Sequence, residues 1–176
     1  MMRKQVIIFC VVGFLFVSIF GALSHFFYEW SGNNKIAGIF FPVNESTWEH
    51  LKLALFPTFV FFIVGAFFVK NDNYFFAFFI TLLTPMVLIP VIFYSYTAIT
   101  GEPILAVDII TYFVSVAVAF LLCAFILLRP PFGRAYAITA VVGIFLIAIC
   151  YMTFTIFPPK IFLFRDELTG LYGFGV

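Results

Sequence analysis

The chain has 176 residues, 65% hydrophobic and 22% aromatic, with a mean hydropathy of +1.20. Only 10% are charged, against about 25% in a soluble domain, and 29 phenylalanines are more than one soluble core of this size can hide. A net charge of +1 without a basic run gives nucleic-acid binding no support.

These numbers define an integral membrane protein, all-α, read as a single transmembrane domain over residues 1–176. Met1-Met2-Arg3-Lys4 followed by an apolar run resembles the front of a signal peptide. The run from Val6 to Phe27 is long for such a segment and lacks a clean small-x-small cleavage site, so it reads as an uncleaved first span from about Gln5 to Glu29. Four more segments are long enough to cross about 30 Å of hydrocarbon. They run from about Ser46 to Lys70, Tyr74 to Ala98, Ile104 to Leu128, and Ala135 to Phe157.

Asn71-Asp72-Asn73, Thr100-Gly101-Glu102-Pro103 and the run Arg129 to Arg134 make short polar turns. The first connection, Ser31 to Glu45, is longer. Its stretch Ile36 to Val43 is apolar enough to lie along the interface or dip into the bundle mouth. Pro57, Pro85 and Pro90 fall inside spans and tend to kink them. Cys10, Cys123 and Cys150 all sit in apolar runs with no CxxC, so neither a disulfide frame nor a thiolate metal site is expected.

Basic residues set the orientation. With the N-terminus in the cytoplasm, the inner side holds Arg3, Lys4, Lys70, Arg129 and Arg134, with Asp72 as its only acid. Lys35, Lys52, Lys160 and Arg165 fall outside, so the margin is narrow, but the expectation is N-in and C-out. Glu29, Glu45, Glu49, Glu102, Asp108, Asp166 and Glu167, and both histidines, then gather on the extracytoplasmic side. Interfacial solvation accounts for Glu102 and Glu167, and less well for His25, Glu29, Glu49, His50 and Asp108, which lie within or beside helices.

The densest stretch is Asn44-Glu45-Ser46-Thr47-Trp48-Glu49-His50-Leu51-Lys52, at the mouth of the second span. Charge so close to a bilayer is costly unless solvated or paired. Ser46-Thr47-Trp48-Glu49 has the spacing of a capping box, in which Glu49 reaches back to the Ser46 amide. Lys52 is expected to snorkel towards headgroups and Trp48 to anchor at the interface. His25 and Glu29 are four apart, so in an unbroken helix both point to one partner. His25, Glu29, Glu45, Glu49 and His50 are therefore the candidate ligands of a divalent metal ion assembled across helices, zinc and manganese both being permitted. His25, Glu49, His50 and Asp108 are the candidate catalytic groups. Glu29, Glu45, Tyr96 and Arg165 are the candidate substrate contacts. The tail 158–176 begins with Pro158-Pro159 and is too apolar to float free; it is expected to fold over the outer mouth, with Arg165 near the clustered acids.

The stretches His25 to Gly32, Phe41-Pro42-Val43-Asn44-Glu45-Ser46-Thr47-Trp48-Glu49-His50-Leu51-Lys52, and Pro158 to Gly173 resemble an uncharacterised family of small bacterial multi-pass membrane proteins. The resemblance implies family membership and a bacterial plasma membrane, and no chemistry.

Three functions compete. One is an enzyme opening at the outer leaflet, with the His/carboxylate site hydrolysing or transferring groups on a lipid or lipid-linked substrate. The second is a cation or small-molecule transport component, weakened by spans almost free of charge at depth. The third is a non-catalytic scaffold or accessory subunit. Membrane lipids are the expected partners of each, with a protein partner or a second copy for the last two.

Overall fold

The computed structural model describes residues 2–175 and is all-helical. Helix α1 spans Arg3–Ser24, α2 Phe27–Trp30, α3 Lys35–Phe40, α4 Thr47–His50, α5 Lys52–Gly65, α6 Tyr74–Thr100, α7 Leu105–Leu127 and α8 Arg134–Ile156, and a 3-10 turn covers Phe162–Phe164. Helices α4 and α5 run on through Leu51 as one crossing, giving five spans long and apolar enough to traverse a membrane. Large apolar side chains face outward on every span, Ile19, Ile63, Phe75, Leu121 and Phe145 among them. Such a surface is stable in lipid and not in water, so this is a polytopic membrane-protein architecture.

Helix α6 packs along α7 and α8, and α1 along α5 and α7. Aromatic rings fill the centre: Phe62 stacks on Phe78 at 4.6 Å between centroids and meets Phe61 edge-on at 5.8 Å. At the end carrying the N-terminus, Asn73 donates to the Ile126, Arg129 and Pro130 carbonyls, and Asn71 to that of Leu127. The polar turn after α5 therefore caps α7, whose last carbonyls have no helical partner.

Near the other end, three spans meet at one hydroxyl. Pro57 lacks an N–H, which leaves the Leu53 carbonyl of α5 without its helical donor. The Tyr112 hydroxyl of α7 lies 3.3 Å from that oxygen and 2.8 Å from the Val17 carbonyl of α1. Only glycine at position 21 permits this approach, since a Cβ there would overlap the Tyr112 hydroxyl and the Leu53 oxygen.

The first span ends earlier than the sequence implies. The chain turns at His25 and Phe26 before α2, where the Ser24 hydroxyl donates to Gly21 O. The following connection folds into the short helices α2 and α3, and Asn34 caps α3 by accepting from the Ile36 amide. The tail packs on the same end: Phe164 lies 4.7 Å from Trp48, Phe162 meets Tyr94 edge-on, and Asn44 donates to Gly173 O at 2.8 Å. Arg165 pairs with Tyr172 as an isolated antiparallel bridge, closing a turn in which the Asp166 carboxylate accepts from the Leu168 amide and the Thr169 hydroxyl.

Candidate metal centre

The Pro42–Ser46 segment enters α4 under local control. Asn44 accepts from the Ser46 amide at 2.9 Å, and Ser46 accepts from the Glu49 amide at 3.3 Å, so two of the first free donors are capped. This capping projects Glu45 from the loop towards His50, one helical turn further along. His25 arrives from the turn ending α1.

Three atoms converge there. His25 Nε2 lies 3.3 Å from His50 Nε2, His50 Nε2 lies 3.3 Å from Glu45 Oε2, and His25 Nε2 lies 3.8 Å from that same oxygen. Donors held at about 2.0–2.1 Å by a tetrahedral ion sit about 3.3–3.4 Å apart. Two edges of the triangle match and the third is slightly wide. The three side chains are 31–43% exposed, so the centre is accessible as well as assembled. The group offers one ligand atom per residue and is able to hold a metal ion.

The tautomer of His50 sharpens the point. Its Nδ1 lies 3.1 Å from the Ser46 carbonyl, which can only accept, so Nδ1 carries the proton. In the neutral ring, Nε2 then presents a lone pair to a carboxylate oxygen 3.3 Å away. Two electron-rich atoms so close require a proton or a cation between them. The backbone contact is also the outer-shell bond that orients a metal-bound imidazole. Outside the spans, burial and then neighbouring His50 hold the His25 ring below its ordinary value. When the His50 ring is protonated on Nε2 as well, its hydrogen bond holds Glu45 below the ordinary carboxylate range against the opposing effect of burial. At neutral pH the pair therefore offers a neutral imidazole and a carboxylate, the forms that bind divalent ions.

The other sequence candidates are dispersed. Glu49 is turned away, forming a buried ion pair with Lys52 at 2.7 Å. Its carboxylate also accepts from the Val43 amide at 3.1 Å and the Thr155 hydroxyl at 3.0 Å. The capping box is thus half formed, because Asn44 already occupies the Ser46 amide. Lys52 does not snorkel; it donates to the Gly38 carbonyl at 2.8 Å and is almost fully buried. Trp48 is buried as well, stacked on Tyr151 at 4.3 Å, rather than anchored at an interface. Glu29 is exposed on α2, because the turn at His25 breaks the i, i+4 register. Arg165 is exposed and makes no ion pair among the described residues.

Asp108 stands beside the centre rather than in it. Its carboxylate accepts from the Tyr96 hydroxyl at 2.6 Å, and Tyr96 in turn accepts from the Ile104 amide at 3.0 Å. Asp108 and the three ligand residues line one open cavity of about 690 Å³ between α1, α5, α6 and α7, within the range of about 300–1,000 Å³ usual for small-molecule sites. Its deeper wall is apolar, with Leu53, Ile89 and Phe93. Phe26, Leu105, Ile109 and Phe113 also line it and are exposed, so its mouth runs along the flank where α1 ends and α7 begins. Glu167 and Leu168, presented by the Asp166 turn of the tail, complete the rim. Thr47 and Glu167 also line the cavity, though sequence patterning assigns them no role in a site; Thr111 lines it too, and the signal for it is its place one turn after Asp108 on the same helix face.

The fold and the site define a five-span helical membrane protein with a His/His/carboxylate cluster at the polar end of a side cavity. A family model covers residues 1–174, and the chain belongs to that family, described as a family of unknown function (DUF6512). No curated protein and no solved structure matches the chain.

Proposed function

We propose that the protein is a membrane-embedded metalloenzyme in which His25, Glu45 and His50 hold one divalent ion and act on a lipid or lipid-linked substrate by hydrolysis or group transfer. The observation that carries this reading is the triangle of ligand atoms with the His50 tautomer pinned by Ser46. Three protein ligands would leave a bound ion open to a further ligand, the donor set of catalytic rather than structural zinc. Such an ion would supply an activated water and polarise a carbonyl or phosphoryl oxygen. Around it, Ser46 fixes the His50 ring, and Asp108, held by Tyr96, faces the same cavity as a candidate proton acceptor or substrate contact.

The apolar depth and flank mouth favour a substrate entering from the bilayer. The basic residues Arg3, Lys4, Lys70, Arg129 and Arg134 support an N-in, C-out orientation, with the site towards the extracytoplasmic side of a bacterial plasma membrane. Conduction gains less support, because Phe62, Leu82, Val116 and Phe120 are buried in the core between the two ends.

Elemental mass spectrometry of detergent-purified protein, prepared without chelator, tests the reading. About one equivalent of a divalent metal is expected, lost in His25→Ala and His50→Ala and retained in Glu29→Gln. Protein that is folded yet holds no metal, and takes up none from zinc, manganese or cobalt, refutes it.

A further inference from the structure

The cavity has a charge pattern that the metal cluster does not use. Besides Glu45, its walls carry Asp108 and Glu167, and neither lysine nor arginine lines it. Neither Asp108 nor Glu167 forms an ion pair among the described residues. Tyr96 occupies one oxygen of Asp108 and leaves the other free. The Glu167 carboxyl is pushed above its ordinary value by burial and then by the neighbouring Asp108 charge, as expected of two like charges facing one space.

A second observation concerns Thr111. It is only 5% exposed, lines the cavity, and its hydroxyl has no hydrogen-bond partner among the described residues. A threonine in a helix ordinarily bonds back to the carbonyl four residues earlier, as Thr58, Thr81 and Thr84 do here. Thr111 lies three residues after Asp108, hence on the same face of α7. Below this polar strip the wall is apolar, formed by Ile89, Phe93 and Leu53.

The geometry points to a single-chain amphiphile bearing a protonated amine as the cavity's ligand, with its ammonium at Asp108, Glu167 and Thr111 and its hydrocarbon along the apolar wall. An ammonium group has three N–H donors and no acceptor, and these residues supply two carboxylates and one free hydroxyl oxygen. An anionic headgroup is repelled by two uncompensated carboxylates, and a neutral one offers them no counter-charge. This assignment deepens the proposed enzyme by naming its substrate class and rests on that reading for the chemistry, while the binding itself needs no metal.

Native mass spectrometry of the full chain in non-ionic detergent, with and without metal, can compare hexadecylamine, hexadecanol and hexadecyl phosphate. Hexadecylamine is expected to bind one per chain, about tenfold more tightly than hexadecanol, in metal-free wild type and in His25→Ala. Glu167→Gln, at an exposed turn, should reduce that preference by about threefold, and Asp108→Asn with Glu167→Gln should abolish it. Equal binding of amine and alcohol by the wild type overturns the proposal, as does an amine preference that survives the double substitution. Hexadecyl phosphate preferred only in the metal-loaded protein also overturns it, while leaving the metal reading intact. Metal-free preparations that still select the amine uphold it even where the metal reading fails.

Discussion

Lys52→Met tests whether Glu49 is a structural rather than a ligand carboxylate. Lys52 and Glu49 side chains are 1% and 2% exposed and 2.7 Å apart, so solvent screening does not dilute the pair as it would at a surface. Removing the ammonium leaves a carboxylate held only by the Val43 amide and the Thr155 hydroxyl, and leaves the Gly38 carbonyl without its lysine donor. Breaking one half of a buried pair costs about 3–5 kcal/mol. Glu49→Gln combined with Lys52→Met removes both charges and should recover most of that loss, to within about 1–2 kcal/mol of wild type. The assay is a denaturant titration in mixed micelles followed by far-ultraviolet circular dichroism, with metal content measured on the folded fraction. A single variant within about 1 kcal/mol of wild type refutes the structural role. So does a folded double variant that has lost its metal, since that would return Glu49 to the ligand set.

Metal retention should fall with acid in a defined window. Burial holds His25 below its ordinary 6.5, so this imidazole is a free ligand at neutral pH and its own competition with protons lies beneath about 6.5. Glu45, held below its ordinary 4.5, stays ionised throughout that range. Equilibrium dialysis against a metal indicator should show affinity falling progressively as the pH drops through the histidine range; affinity flat from about pH 8 down to about pH 5 contradicts the histidine ligands. Gly21→Ala should destabilise the protein by about 1–3 kcal/mol through overpacking, because its methyl group overlaps Tyr112 and Leu53. Tyr112→Phe in the same chain should recover part of that loss in the same denaturant assay; strictly additive losses argue against the clash.

Composition and apolar run length alone determine that the chain is a helical membrane protein with five crossings, because a bilayer demands about 20 apolar residues per helix whatever the neighbours are. The importance of the Asn44–Lys52 segment was equally legible, since charge at a membrane boundary must be paired or solvated. What the sequence left open was which charges pair with which. Glu45 and Glu49 differ by one helical turn and carry the same chemistry, yet Glu45 precedes the helix and swings to the histidines, whereas Glu49 is drawn inward by Lys52 and by Thr155 on a span 106 residues away. The His25/Glu29 pairing failed because the turn at His25 broke the register on which it depended. The placement of Glu167 at the cavity rim follows from a hydrogen-bonded turn at Asp166 and from the docking of Phe164 on Trp48. Each of these outcomes depends on long-range packing and on which backbone donors are already satisfied, and only the tertiary structure decides those.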